Sequence, residues 1–252
     1  MRVAILSDIH ANIEALEAVL ADARAHATEH YLCLGDSIGF NGDPAACVSR
    51  GMQFFDACVR GNHEQALLQR GLFGVPLFTA MMDRTAAMLS AEHLAYIRTL
   101  PLRAQWQGIT LVHAAPMQED AWKRIGNIPS AREAFAAFEG QLCFFGHTHR
   151  ATVFKEEEDG SISIIPAVYD EQNTCTVVLA PHCRYLINPG SVGQPRDFNP
   201  RAAYALLDTD TRTLTLRRVD YDIESAAAKI CHTGLPDSFA VALRKGITPT
   251  GD

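Results

Sequence analysis

The chain has 252 residues, of which 48% are apolar and 20% are charged. This composition is typical of a globular protein and excludes disordered, collagen-like and low-complexity chains. The net charge of -7 gives no electrostatic attraction to bulk duplex nucleic acid or to an anionic membrane surface, so neither is expected as a partner.

The start of the chain and its cysteines predict a cytoplasmic protein. The apolar run at 3–6 is too short for the core of a signal peptide, and no run approaches the ~18 apolar residues of a membrane span. The seven cysteines are an odd number and contain no Cys-x-x-Cys pair. We interpret them as reduced, buried thiols in a reducing compartment.

Residues 2–60 predict the order β-α-β-α-β, which is typical of a parallel sheet. Apolar runs and helical spacing place strands at 2–7, 30–35 and 53–60, and helices at 12–26 and 43–51. The next part of the chain predicts helices at 64–70, 76–100 and 130–139, and strands at 102–106, 109–113 and 141–146. Residues 114–129 are expected to form a loop.

Beyond residue 150 short alternating segments predict antiparallel strands. We place them at 151–155, 161–165, 174–179, 184–188, 202–208 and 213–219. Residues 222–252 are predicted to be a helical tail, with two helices within 222–245. No repeat or linker interrupts the chain, so residues 1–252 are expected to form a single domain of two packed sheets with outer helices.

Five short segments place Asp, His or Asn at or just past the end of a predicted strand. They are Asp8-Ile9-His10, Gly35-Asp36-Ser37-Ile38-Gly39, Gly61-Asn62-His63-Glu64, His113 and Gly146-His147-Thr148-His149. Open α/β sheets place their ligands at the carboxyl ends of strands. We therefore expect the five segments to converge on one site.

These residue types suit a pair of metal ions. Imidazole and carboxylate bind Zn, Mn or Fe, and no thiolate belongs to the set. A carboxylate has two oxygens and can bridge two ions, and Asp36, at a tight turn, is the expected bridge. Two divalent ions with Asp8, Asp36 and a bridging hydroxide carry about +1, which attracts an anionic phosphate.

In this order the segments resemble the motifs of the calcineurin-like metallophosphoesterases, over residues 8–149. Residues 187–196 resemble a late loop of the small bacterial members. The resemblance implies an α/β fold, a four-layer α/β/β/α sandwich of two mixed sheets. It also implies a binuclear metal-dependent phosphoesterase that uses Mn, Fe, Zn, Co or Ni, with Mn or Fe favoured.

The resemblance further assigns a role to each site residue. One metal would be held by Asp8, His10, Asp36 and His149, and the second by Asp36, Asn62, His113 and His147. His63 would protonate the leaving oxygen or stabilise the phosphate. Attack on phosphorus would come from the hydroxide between the metals.

The chain departs from the protein-phosphatase branch of the family. An Asp-Arg pair follows the second motif there, whereas Phe40-Asn41-Gly42-Asp43-Pro44 follows it here. This difference favours a small phosphodiester or nucleotide-type substrate over a phosphoprotein. A phosphomonoesterase or protein phosphatase, a dinucleoside polyphosphate hydrolase and an inactive metal-binding scaffold are the alternatives.

Some residues keep two interpretations at this stage. Asn62 is either a ligand or the N-cap of a helix, and His113 is either a ligand or a core histidine. Arg196 either binds a substrate phosphate or pairs with Asp197 or another neighbour on the surface. Trp122 either stacks on a nucleobase or anchors a lid.

Two further segments are also ambiguous. Lys123 and Arg124 either steer an anionic substrate or are simply solvated. The Met-rich apolar stretch 72–89 is either buried within the chain or a dimer or lid surface. The sequence does not predict an oligomeric state.

Overall fold

The first strand shows how the layers of the molecule are built. In the computed structural model, which describes residues 1–249, β1 (Arg2–Leu6) is buried on both faces. Successive side chains of a strand point to opposite sides. Val3 and Ile5 pack into an apolar core shared with a second sheet. Ala4 and Leu6 pack instead with the first helix, α1 (Ile13–Ala25).

β1 belongs to a six-stranded mixed sheet, sheet A. Its other strands are β2 (His30–Cys33), β3 (Ala57–Cys58), β9 (Thr174–Val178), β11 (Ala202–Asp208) and β12 (Thr213–Val219). Their order across the sheet is β3-β2-β1-β11-β12-β9. The first three strands are parallel, as helical crossovers require, and the other neighbours are antiparallel.

The second sheet, sheet B, is also six-stranded and mixed. Its strands are β4 (Arg103–Trp106), β5 (Ile109–Val112), β6 (Leu142–Phe144), β7 (Thr152–Glu156), β8 (Ile162–Ile165) and β10 (Arg184–Asn188). Their order is β4-β5-β6-β10-β7-β8, with β5, β6 and β10 parallel. Inward side chains of both sheets meet in one apolar core, among them Ile5, Leu111 and Ile187.

Helices cover the outer faces of the two sheets. On sheet A, α1 lies beside α2 (Pro44–Phe54). On sheet B, α6 (Ile128–Phe135) buries Phe135 with Cys143 and Phe154. The stacking order of helix, sheet, sheet and helix confirms the predicted four-layer α/β/β/α sandwich.

Residues of four further helices pack together in a separate apolar cluster. These helices are α3 (Asn62–Leu68), α4 (Pro76–Met88), α7 (Ile223–His232) and α8 (Asp237–Lys245). The chain also forms α5 (Ala91–Thr99) and a 3-10 turn (Glu119–Ala121). None of the helices within residues 1–249 combines the length and apolar character that a bilayer span needs.

The predicted strand at 53–60 is wrong over most of its length. Its first two residues end α2, and the strand itself is limited to Ala57–Cys58. The ring of Phe54 lies 6.3 Å from that of Tyr31 and covers the outer side of sheet A. The apolar pair Phe54-Phe55, which favours a strand in the sequence, therefore closes a helix instead.

The predicted helix at 76–100 is two helices, α4 and α5. Ser90 begins the second one, since its Oγ accepts a hydrogen bond from the His93 N–H at 3.2 Å. Met81 and Met82 of α4 are buried with residues of α7 and α8. Two methionines of the stretch are therefore used within the chain, whereas Phe73, Val75 and Met88 remain exposed.

The strands beyond residue 150 are not purely antiparallel. β10 pairs antiparallel with β7 but parallel with β6, because it enters the middle of sheet B in the direction of β6. The two helices predicted within 222–245 are α7 and α8. The last three residues of the predicted tail, 250–252, lie outside the described residues.

Leu111 tests the packing between the sheets, since its side chain is fully buried in the shared core. Leu111→Ala should lower the free energy of unfolding by about 2–5 kcal/mol, because contacts are lost and a cavity is left. Val178→Ala, at a site that is 73% exposed, is the control, and its effect should stay within about 0.5 kcal/mol. Urea titrations of both variants measure the difference, and equal effects would contradict a close-packed core at Leu111.

Candidate metal centre

The strands that carry the predicted site residues end at one edge of the sandwich. Asp8 follows β1, Asp36 follows β2, His113 follows β5 and His147 follows β6. Backbone hydrogen bonds join the loops within each sheet. The Asp8 N–H donates to the Gly35 carbonyl at 3.0 Å, and the Gly146 N–H donates to the His113 carbonyl at 2.8 Å. The structure thus brings all five segments together.

One group of donor atoms is formed by Asp8, His10 and His149. His149 Nε2 lies 3.2 Å from Asp8 Oδ1 and 3.1 Å from His10 Nε2. Asp36 Oδ2 is 3.7 Å from His10 Nε2. All four side chains are buried. Two imidazole nitrogens and two carboxylate oxygens therefore surround one point.

A second group is formed by Asp36, His113 and His147. His113 Nε2 lies 3.3 Å from Asp36 Oδ2 and 3.0 Å from Asn62 Oδ1. The rings of His113 and His147 are 5.2 Å apart. Gly61, not Asn62, is the N-cap of α3, so the capping interpretation of Asn62 is wrong. His113 is buried, but its Nε2 faces the side-chain oxygens of Asp36 and Asn62 rather than the apolar core.

Asp36 belongs to both groups. Its Oδ1 accepts a hydrogen bond from the His63 N–H at 2.8 Å, which fixes the carboxylate. Its Oδ2 faces His10 on one side and His113 on the other. One oxygen is thus held by the backbone, and the other is shared between the two groups.

Backbone carbonyls set the orientation of three histidine rings. Nδ1 of His10 lies 3.1 Å from the Ile38 carbonyl, and Nδ1 of His113 lies 2.8 Å from the Leu34 carbonyl. Nδ1 of His149 lies 2.6 Å from the Gln194 carbonyl. A ring that donates from Nδ1 keeps the lone pair of Nε2 free for a ligand. In all three cases that Nε2 points into the site.

Five of the site residues have a left-handed backbone conformation. The φ angles are +53° for Asp8, +49° for His10, +53° for Asp36, +65° for His147 and +58° for His149. Each such conformation costs roughly 1–2 kcal/mol in a residue other than glycine. Strain of this kind persists where surrounding structure holds it, and it concentrates at functional sites.

Two glycines let the loops approach the carboxylates closely. A Cβ at Gly61 would lie 2.1 Å from Asp36 Oδ1, and one at Gly146 would lie 1.9 Å from Ser7 Oγ. At Gly61 and Gly146 a side chain would collide with neighbouring atoms. Gly35 is required for a different reason, because its φ of +92° in the turn is a conformation that favours glycine.

Burial and neighbouring charges shift the pKa values of the site residues. Burial raises the pKa of Asp8 to about 6. Burial lowers the pKa of His113, but the adjacent Asp36 carboxylate outweighs it and raises that pKa to about 10. Burial also holds the pKa values of His10 and His149 well below their ordinary value, so both are neutral at neutral pH. Neutral imidazole is the form that binds metals.

An orphaned oxygen shows that the site fits a cation. Asp8 Oδ1 is buried and has no hydrogen-bond partner among the described residues. An unsatisfied buried acceptor costs about 1–3 kcal/mol, which a cation would offset. The facing Nε2 atoms of His10 and His149 need the same kind of partner. Imidazole nitrogens and carboxylate oxygens without thiolates fit divalent transition metal ions.

His63 lies beside Asp36, with its Nε2 at 3.8 Å from Asp36 Oδ2. Its ring is 4.6 Å from that of Phe40 and 4.8 Å from that of Phe78. Its Nδ1 has no hydrogen-bond partner in the described part of the chain, and a Cβ at Gly39 would lie 2.2 Å from this atom. Packing therefore orients the imidazole. Burial lowers the pKa of His63 to about 4.

Glu64 is a functional residue that the sequence reasoning missed. Its Oε2 accepts hydrogen bonds of 2.9 Å from the N–H groups of both Asp36 and Gly61. Its Oε1 accepts a bond of 2.7 Å from the Ser37 N–H. This fully buried carboxylate thus ties the Asp36 loop to the start of α3. A Glu at the third position of a helix is the signal that could have found it.

The late loop at 187–196 supports the site from behind. Ser191 Oγ donates to the Asp8 carbonyl at 2.7 Å, and Asn188 Nδ2 donates to the Gly146 carbonyl at 2.7 Å. These bonds hold two of the loops that carry predicted site residues, so residues 187–196 have a structural role.

Arg196, at the end of this loop, does not pair with Asp197. Asp197 forms an ion pair with Arg218, and Arg196 donates to Gln194 Oε1 at 2.6 Å. The predicted pair with Asp197 is therefore wrong, and Arg196 bonds a different neighbour, the buried Gln194, while its binding of a substrate phosphate stays a prediction. Trp122 lies at the rim of the site, with its ring 6.0 Å from that of His113.

Glu64→Gln tests the tie between the two loops. The amide replaces one acceptor oxygen by a donor that faces a backbone N–H, so we expect a loss of about 1–3 kcal/mol in stability. Metal affinity should fall as well, because the Asp36 loop loses its support. The exposed Glu158→Gln is the control. Thermal melts and metal titrations measure both effects, and an unchanged metal affinity would show that Glu64 does not position Asp36.

Comparisons with known proteins agree with this geometry. Residues 1–212 match the model of the calcineurin-like phosphoesterase superfamily domain. A metallophosphoesterase from Sphaerobacter thermophilus has a TM-score of 0.84 and 36% identity, covering 98% of this chain and 99% of that one. An uncharacterised protein from Methanocaldococcus jannaschii is 31% identical over 241 residues, which is 93% of this chain and 94% of its own.

A hypothetical protein from Pyrococcus horikoshii shares the fold, with a TM-score of 0.74, 19% identity and coverage of 97% of this chain and 98% of its own. The family match spans most of the chain and includes all five segments of the predicted site. The chain is thus a member of the calcineurin-like phosphoesterase superfamily, the family that those segments resemble.

Proposed function

We propose that this protein is a binuclear metal-dependent phosphodiesterase that acts on small phosphodiester or nucleotide-type substrates. The observation that carries the proposal is the pair of donor groups that share Asp36. Membership of the family supports phosphoester hydrolysis in general. The preference for diesters rests on the shape of the surroundings, described below.

We assign one ion to Asp8, His10, Asp36 and His149, and the second to Asp36, Asn62, His113 and His147. The donor distances support this division. Such ions supply Lewis acidity, which activates a water molecule and neutralises charge on the phosphate. The mixture of imidazole and carboxylate donors favours Mn or Fe in this assignment.

The protein groups divide the work around these ions. Asp36 presents Oδ2 to both sides while the His63 N–H holds its Oδ1. His63, the proposed catalytic residue, is neutral at neutral pH and keeps one ring N–H. We propose that the negative charge of a bound phosphate favours the imidazolium form of His63, and that this form donates a proton from Nε2, the ring nitrogen nearest Asp36, to the leaving oxygen and returns to neutral imidazole.

Two cavities flank the donor groups and support a diester. One has a volume of about 640 Å³, is lined by Phe73, Phe78 and Trp122, and reaches His147. The other has a volume of 570 Å³ and begins at Thr148, the next residue. A phosphodiester has two substituents that need separate space, whereas a monoester has one.

The extent and location of the protein are part of the proposal. We propose that residues 1–252 form one domain, supported by the packing of α7 and α8 against residues of α3 and α4. We also propose a cytoplasmic location. All seven cysteines are free thiols and six of them are buried, the state that a reducing compartment maintains.

A paired assay tests the proposed activity. Metal-free protein is reloaded with Mn, bound metal per chain is measured, and turnover of bis-p-nitrophenyl phosphate is compared with that of p-nitrophenyl phosphate. We expect a higher kcat/KM for the diester, because both flanking cavities are then filled. Equal or better turnover of the monoester would overturn the diester preference. Metal-loaded protein inactive on both esters would favour the scaffold alternative.

His63→Asn tests the role of the imidazole. We expect bound metal to be retained and kcat to fall by about 10²–10⁴-fold, the usual range for general acid–base catalysis. His232→Asn is the control, since His232 is exposed at the end of α7. Metal analysis and kcat are measured on both variants. Unchanged turnover of His63→Asn would remove this residue from the mechanism.

A further inference from the structure

Three arginines line the cavity that begins at Thr148. They are Arg124, Arg150 and Arg196, and the cavity has a volume of 570 Å³. The overall charge of the protein is -7, so this concentration of positive charge runs against the composition of the chain. Like charges placed together repel unless an anion lies between them.

None of the three guanidinium groups has a carboxylate partner within 4.0 Å in residues 1–249. Arg196 donates to the amide oxygen of Gln194, and Arg150 Nε donates to the Arg196 carbonyl at 3.0 Å. Arg124 is exposed. Other arginines of the chain, such as Arg184 and Arg217, have carboxylate partners at 2.7 Å. The cavity therefore keeps free donors for an anionic ligand.

The cavity lies beside the segment that carries two of the proposed ligands, His147 and His149. The Arg196 N–H donates to the His149 carbonyl at 3.1 Å, which places this arginine directly behind a proposed ligand. Thr148 lies between the two histidines of the same motif and lines the cavity. Arg124 lines both this cavity and the aromatic one on the other side of His147. A molecule bound at the centre can thus extend into the arginine cavity.

We propose that Arg124, Arg150 and Arg196 form a subsite for a second phosphate group of the substrate, one that is bound but not cleaved. This inference rests on the proposed phosphodiesterase activity and narrows its substrate class. The preferred substrate is then a phosphodiester of a nucleotide that carries a second, separate phosphate group. The subsite is formed by residues of three separate loops.

Charge and geometry favour phosphate over other anions. A terminal phosphate carries about -1.5 to -2 at neutral pH and has three acceptor oxygens. A carboxylate carries a single charge and two oxygens, so it neutralises less of the charge of three guanidinium groups than a phosphate does. The planar fork of a guanidinium matches two phosphate oxygens at once.

Two esters with the same leaving group test the subsite. Thymidine 5′-(4-nitrophenyl phosphate) is compared with the same ester bearing a 3′-phosphate, and release of 4-nitrophenolate is followed on Mn-loaded protein. We expect the 3′-phosphate to raise kcat/KM about tenfold, since charge-assisted hydrogen bonds have this strength. The advantage should shrink with added sodium chloride. Equal kcat/KM for the two esters would overturn the proposal.

Variants connect the effect to the arginines. Arg150→Gln and Arg124→Gln should each reduce the ratio of the two kcat/KM values several-fold. Both residues are exposed, and within residues 1–249 the Arg124 side chain forms no hydrogen bond. Neither substitution should therefore disturb the fold. Arg132→Gln, an exposed arginine of α6 without a carboxylate partner in the described chain, is the matched control. A ratio unchanged in both subsite variants would also overturn the proposal.

A binding measurement separates this inference from the proposed activity. If neither ester is hydrolysed, the phosphodiesterase proposal fails, and the subsite is then judged by equilibrium binding alone. Thymidine 3′,5′-bisphosphate should bind about tenfold more tightly than thymidine 5′-monophosphate, and Arg150→Gln should remove the difference. Equal affinities for the two nucleotides in the native protein would contradict the subsite independently of turnover.

Discussion

The position of one carboxylate oxygen, Oδ2 of Asp36, is the constraint on which the site depends. It faces an imidazole of the first donor group, His10, on one side and an imidazole of the second group, His113, on the other. Its neighbours serve to hold it. The His63 N–H fixes Oδ1, and Glu64 binds the Asp36 N–H. Gly61 leaves room for the carboxylate where any side chain would collide with it.

The fold explains how residues so far apart in sequence meet. Parallel strands at the centre of each sheet end at the same edge, and the two sheets pack face to face, so their loops meet above the shared core. The strained conformations of Asp8, Asp36 and His147 at the ends of these strands turn the chain sharply enough for the side chains to face inward. Packing energy of the sandwich maintains that strain.

Much of this arrangement could be predicted because strand ends carry their own signal. Asp8, Asp36 and His113 each follow an apolar run that could only be a buried strand. The position of Glu64 in its helix signals a capping carboxylate, but its bond to the N–H of Asp36, 28 residues earlier in the chain, could not be predicted. Likewise, Phe54 looks like a strand residue until the helix that carries it is packed on Tyr31.

Each proposed ion would take its ligands from both sheets. For the first ion, Asp8 and His10 follow a strand of sheet A and His149 follows a strand of sheet B. For the second ion, Asn62 follows a strand of sheet A and His113 follows a strand of sheet B. The ions would thus act as non-covalent cross-links that close chain segments of more than fifty residues. The bound ions would then hold the two sheets together at the edge where their loops meet. Metal loss would weaken the packing between the two sheets before it disturbed either sheet.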